Sequence, residues 1–196
     1  MEEKTYTSRS FKQRMYFFVP YNISDIQKAI QAGHAGMQYV YTHGFRPELI
    51  SFMDNDKTWI VLNGGTTRSD PDDPGTMQEL LNEIFVFNEQ HPDHSINKVV
   101  FHEPDLNNAL TAICFLADER VWDYETYPDF FDFIINVKMT PEATEQMPAQ
   151  NYIMLKRQTL ENLQKMFPEY YTEWVAFLGG EKNLFLRNLL RGKKLA

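Results

Sequence analysis

The sequence predicts an α/β protein: a four-stranded mixed β-sheet covered by helices, with a C-terminal helical extension. Three observations predict it. Four short apolar runs, at 15–19, 58–63, 98–101 and 109–116, have the length and composition of strands. Two segments of helical spacing, opening at Ser24 and Thr76, separate the first three runs. From Ile153 onward the chain reads helical in three pieces. With 196 residues, 43% hydrophobic and 14% aromatic, it can bury a real core and is not of disordered composition. The expected division is an α/β domain over 1–139 and a helical extension over 140–196.

Residues 1–13 are polar and read as an arm, with Lys4, Arg9 and Lys12 close to the first strand. Met15–Val19 is apolar without alternation, which suits a strand buried on both faces. Pro20 and Asn22 end it. Ser24 and Gln27 form a capping box, so a helix should begin there and stop at Gly44. Ile26, Ala29, Ile30, Gly33, Met37, Val40 and Tyr41 follow helical spacing and are expected to be its buried stripe. Phe45–Lys57 reads as a loop or short helix, and Thr58–Asn63 as the second strand. The loop Gly64–Gly75 lacks lysine and phosphate-loop spacing. Its prolines break up Asp70, Asp72 and Asp73 as calcium ligands. Thr76 and Glu79 predict a second capping box, with Met77, Leu80, Leu81, Ile84 and Phe87 buried.

Lys98–Phe101 and Ala109–Leu116 are the third and fourth strands, joined as a hairpin with a functional connection. Phe133–Met139 reads as an added strand. Thr140-Pro141 signals a helix start. The tail divides into helices at Ile153–Phe167, Pro168–Leu178 and Glu181–Arg191, with glycines at the last two ends.

The first helix carries a second stripe: Gln27, Lys28, Gln31, His34 and Gln38 share one face. Lys28 sits in the first turn, where the helix dipole disfavours a cation. Two readings follow, a solvated polar face or an anion-facing lysine at the mouth of a cleft.

The string Q-K-A-I-Q-A-G-H-A, Gln27 to Ala35 after an apolar strand, resembles the signature of type 2 peptidyl-tRNA hydrolases. The segment F-H-E-P-D-L-N-N-A-L-T-A-I, Phe101 to Ile113, resembles the same family, which has an aspartate there and then a threonine entering the last strand. The resemblance covers roughly Arg14 to Ala117. It implies a three-layer fold, with the mixed sheet between helical layers, and hydrolysis of the ester between peptide and tRNA. It also implies roles. Lys28 would stabilise the oxyanion or a nearby phosphate. Asp105 would orient water or hold Lys28. Thr111 would hydrogen-bond the ester or position the aspartate. Gln31, His34 and Glu103 would contact substrate, Glu103 being a second carboxylate candidate.

Other features bound the function. A net charge of −8 argues against broad nucleic-acid coating and leaves a local basic patch as the RNA-facing candidate. Lys182, Arg187, Arg191, Lys193 and Lys194 make the end of the chain locally basic. No apolar run approaches the ~20 residues of a membrane span, so no membrane partner is expected. The first residues are charged, without the apolar core of a signal peptide. The lone Cys114 leaves no internal disulfide, and a reducing cytoplasm is expected. His91 and His94 flank a proline in a polar loop, and no metal or cofactor is expected. The expected partner is tRNA or peptidyl-tRNA. A second reading is a non-catalytic binding module for tRNA, a nucleotide or a protein, such as an inhibitor of a host defence system. A third is a homodimer assembled through the helical tail.

Overall fold

The computed structural model describes residues 11–196. The first ten residues of the expected arm lie outside the described residues. The elements run β1 (Gln13–Pro20), α1 (Asp25–His43), α2 (Pro47–Ser51), β2 (Thr58–Gly65), α3 (Thr76–Gln90), β3 (Lys98–Glu103) and β4 (Ala109–Asp118). Seven helices follow: α4 (Glu119–Trp122), α5 (Phe130–Phe133), α6 (Pro141–Glu145), α7 (Ala149–Lys156), α8 (Leu160–Met166), α9 (Pro168–Phe177) and α10 (Glu181–Leu190). The chain falls into two compact units. One ends at Glu119 and regains 190–196; the other is Arg120–Leu189.

The first unit is built on a four-stranded mixed sheet of order β2-β1-β4-β3. β1 and β2 are parallel; β4 runs antiparallel to both β1 and β3. The two central strands are apolar on both faces, so both faces must be covered. On one face Met15, Phe17, Val19, Ala112 and Cys114 cluster with Ala32, Ala35 and Tyr39 of α1 and with Leu49 and Phe52 beyond it. On the other, the Phe115 ring lies 5.9 Å from the rings of both Tyr16 and Phe18. The glycine at Gly64 lets α3 close on this face: a Cβ there would stand 2.9 Å from that of Phe18 and collide with the Met77 sulfur. The buried side of α3 is Met77, Leu80, Leu81, Ile84 and Phe87, as the spacing predicts.

Helix α1 keeps its predicted ends. The Ser24 hydroxyl accepts the Gln27 N–H, the Gln27 side chain caps Ser24 in return, and Gly44 closes the helix at φ 53°. Its buried face is not the predicted one. Gln31, Ala32, Ala35, Gly36 and Tyr39 face the sheet, while Ile26, Ile30, Met37, Val40 and Tyr41 are exposed. The cause is the close approach of helix to sheet, which selects small side chains. A Cβ on Gly36 would lie 3.2 Å from the Trp59 ring and 3.4 Å from that of Phe17, whereas one on Gly33 meets nothing within 4 Å.

Three other expectations are corrected. The residue capping α3 is Gly75, with φ 91°, and the Thr76 hydroxyl instead accepts the Thr66 N–H at 2.9 Å. Phe133–Met139 forms no strand; it continues α5 into a turn of π-helix, Ile134–Lys138. The helix expected over Ile153–Phe167 is broken into α7 and α8, because Thr159 turns out of the helix to cap α8 through the Asn162 N–H.

The second unit packs aromatic rings. Phe130 lies 5.3 Å from Trp174 and 5.4 Å from Tyr171, and Tyr127 lies 5.3 Å from Phe177. Arg187 of α10 is fully buried here. Its guanidinium donates to the Tyr127 and Arg120 carbonyls and the Asp129 carboxylate, and stands over the Tyr124 ring at 3.9 Å. This burial removes Arg187 from the basic surface expected at the end of the chain.

After α10 the chain returns to the sheet. Leu195 pairs antiparallel with Leu62, Asn63 donates to the Lys194 carbonyl, and Ala196 donates to that of Val61. The outer edge of β2 is thereby covered over Val61–Asn63.

Candidate functional site

Of the residues singled out in the sequence, Gln31, Glu103 and Thr111 come together where α1 packs on β3 and β4, whereas Lys28 and Asp105 are not joined. The pairing of these strands slips by one residue: Phe101 faces Ala112, but His102 faces Leu110. Thr111 is the extra residue of this bulge, and a bulge re-aims side chains. Here it turns Thr111 toward α1. The buried Thr111 hydroxyl donates to the Gln31 side-chain oxygen at 2.9 Å. The Gln31 amide nitrogen then donates to Glu103 Oε2 at 2.6 Å. The relay runs one way, from hydroxyl through amide to an acceptor-only carboxylate, and the Phe101 carbonyl, 3.4 Å from the Thr111 hydroxyl, is the longer second acceptor for its proton. The other Glu103 oxygen accepts the Asp105 N–H at 3.4 Å.

The hairpin connection fixes Glu103 from behind. A single 3-10 turn, Pro104–Leu106, leads into Asn107 and Asn108, both left-handed at φ 52° and 60°. Asparagine tolerates that region better than most residues. The Asn108 N–H closes the turn on the Glu103 carbonyl at 3.0 Å.

Three of the six predicted residues, Gln31, Glu103 and Thr111, are therefore joined directly. Lys28 lies one turn before Gln31 on α1, its side chain largely covered, and its ammonium pairs with Asp25 at 3.0 Å. This pairing answers the dipole's objection to a cation in the first turn by placing an acid beside it. Asp105 is exposed on the 3-10 turn, and no hydrogen bond or ion pair joins it to Lys28. His34 is exposed, with its ring 4.9 Å from that of Phe101 on β3.

At the far end of α1, burial lowers the pKa of His43, although its Nε2 lies 3.4 Å from the Lys98 carbonyl. Burial also lowers that of Lys98, whose ammonium stands 4.0 Å over the Phe85 ring. The Cys114 thiol, enclosed in the sheet, is pushed well above its ordinary value.

A separate cleft of about 370 Å³ opens beside the end of β2, lined among others by Tyr21, Gly64, Gly65, Glu79, Glu83 and Lys193. In the loop after β2, Asp73 pairs with Arg68 and the Asp70 carboxylate accepts the Asp72 N–H. Among the described residues no three of His, Cys, Asp and Glu come together as a metal-holding group, and no helix is long and apolar enough to cross a membrane.

Sequence reasoning named the relay residues but not the bulge that joins them, since a one-residue slip leaves no mark on hydropathy. The Asn-Asn pair after Leu106 was the available signal for a tight connection. No family model and no curated protein matches this chain.

Proposed function

We propose that the protein hydrolyses the ester joining a peptide to the terminal ribose of tRNA, at the corner between α1, β3 and β4. The observation that carries this reading is the one-way relay from Thr111 through Gln31 to Glu103, with Lys28 one helical turn away. A carboxylate aimed by a fixed amide can orient a water and take its proton as the water attacks the ester carbonyl. The Lys28 ammonium supplies positive charge for the developing oxyanion or an adjacent phosphate. Its bond to Asp25, an almost fully exposed partner, is of the weakly stabilising kind and exchanges readily for substrate. The ester bond then breaks, and the ribose hydroxyl leaves with the proton. In this scheme Glu103 takes the water-orienting role that the resemblance assigns to Asp105.

The test is release of peptide from peptidyl-tRNA. Wild type should turn over. Glu103→Gln and Lys28→Ala should each lose about 10²-fold or more in kcat with thermal unfolding unchanged, and Asp105→Ala should lose less. An unaltered rate in Glu103→Gln removes Glu103 from the reaction. Absence of hydrolysis by wild type removes the enzymatic reading altogether. A second reading, a protein-binding module, is favoured by the apolar side chains that α1 turns away from the sheet.

A further inference from the structure

Helix α1 gives its smaller, more polar face to the sheet and keeps its larger apolar side chains outside. Ile26 is 75% exposed, Met37 74%, Tyr41 90% and Phe45, just past the helix, 92%; Ile30 and Val40 are also exposed. A row of this size on one surface marks an interaction site rather than scattered surface hydrophobicity.

The spacing says what covers it. Ile26, Ile30, Gly33, Met37 and Val40 alternate steps of four and three residues, the narrow seam of a helix that packs on another helix. The seam also reads nearly alike in both directions from Gly33. Ile26 lies seven residues before it and Val40 seven after; Ile30 lies three before and Met37 four after. Gly33 itself stands within one residue of the middle of α1 and faces open space. A pattern mirrored about a central glycine meets the requirement of a two-fold axis, where one patch must complement itself. Run antiparallel to a second copy, the helix sets Ile26 against Val40 and Ile30 against Met37. The glycines meet at the axis, where missing side chains let the backbones approach closely.

Of the neighbours, the exposed Gln27, Gln38 and Thr42 are uncharged, Asp25 and Lys28 neutralise each other within one helix, and His34 stands beside Gly33. Arg46, beyond Phe45, is carried away from its counterpart by the antiparallel arrangement, so no fixed like charges are forced together. The exposed parts of the six apolar residues amount to on the order of 800 Å² per copy, enough for this face to supply most of the share that each partner buries in a stable interface of standard size.

We propose that the protein is a homodimer in which α1 packs antiparallel on α1 of a second copy, with Gly33 at the two-fold axis. This stands independently of ester hydrolysis and has its own readout. Sedimentation equilibrium of the whole chain at micromolar concentration should give twice the 23.1 kDa of one copy. Met37→Lys, at an exposed position, should keep the circular-dichroism spectrum of the folded chain and sediment as a monomer. Gly33→Cys should cross-link under mild oxidation, because the axis brings the two Cα atoms within disulfide reach of about 7 Å. The one natural cysteine, Cys114, is buried and gives no background. Val86→Cys, exposed on α3, should stay uncrosslinked at the same oxidant concentration. A monomer at every concentration overturns the proposal. So does a dimer that survives Met37→Lys, or one in which Gly33→Cys links no faster than Val86→Cys.

Discussion

The two glycines of α1, three residues apart, do opposite things. Gly36 faces the sheet, and Gly36→Leu should overpack it against Trp59 and Phe17, costing ~1–3 kcal/mol in denaturant unfolding. Gly33 faces open space at an ordinary helical φ, so Gly33→Ala should stabilise the isolated chain by up to ~1 kcal/mol at low protein concentration. His43 sets a pH dependence. Burial holds its folded pKa below the ordinary value; Arg46 pulls the same way, while the Lys98 carbonyl and Glu48 oppose. The unfolded chain therefore takes up the proton first as pH falls. The contribution is intact above about pH 6.5 and is lost as pH drops through the lower folded value. Urea midpoints across that range should fall less in His43→Gln than in wild type. In the second unit, Arg187→Ala would take the 2.6 Å donor from the Tyr127 carbonyl and empty the space beneath the Tyr124 ring, and should cost about 1–3 kcal/mol.

At the scale of elements, the ends of α1, the buried side of α3 and all four strands were legible, because capping residues, helical period and unbroken apolar runs are local signals. The inverted face of α1 was not. Hydropathy assigns the largest apolar residues to the interior, but Gly36 between Ala35 and Met37 marks the face where helix and sheet must touch closely. Phe133–Met139 misled for a related reason: β-branched Ile134, Ile135 and Val137 suit a strand, yet tertiary packing holds them in helical turns. The site was half legible. Gln31, Glu103 and Thr111 could be named, but their convergence depends on the slip in β3–β4 pairing. The bulge predicts a specific asymmetry. Thr111→Val keeps the shape but takes the hydroxyl donor from the buried Gln31 oxygen, and should cost about 1–3 kcal/mol. The double substitution Thr111→Val with Gln31→Leu should cost less than the two single losses added together, which a double-mutant cycle would read directly.

For the whole molecule, the last residues complete the first unit rather than the second. Strand β2 is an outer strand of the sheet, and Lys194–Ala196 hydrogen-bond along it. Unprotected strand edges recruit other chains. Truncation after Gly192 should therefore leave the spectroscopic signature of the α/β core in place while raising the rate of aggregation in light scattering on warming. The sequence held no sign of this return. Leu195 lies about 130 residues from its partner Leu62, and a single bridging residue has no periodicity to read.

That return also imposes a timetable on synthesis. The ribosome must make the about seventy residues of Arg120–Leu189 after β4 and before the segment that shields β2. At ~5–20 residues per second, the nascent sheet waits roughly 4–14 s with an open edge. During that interval neighbouring nascent chains on one message, each at the same stage, are its nearest competitors for pairing.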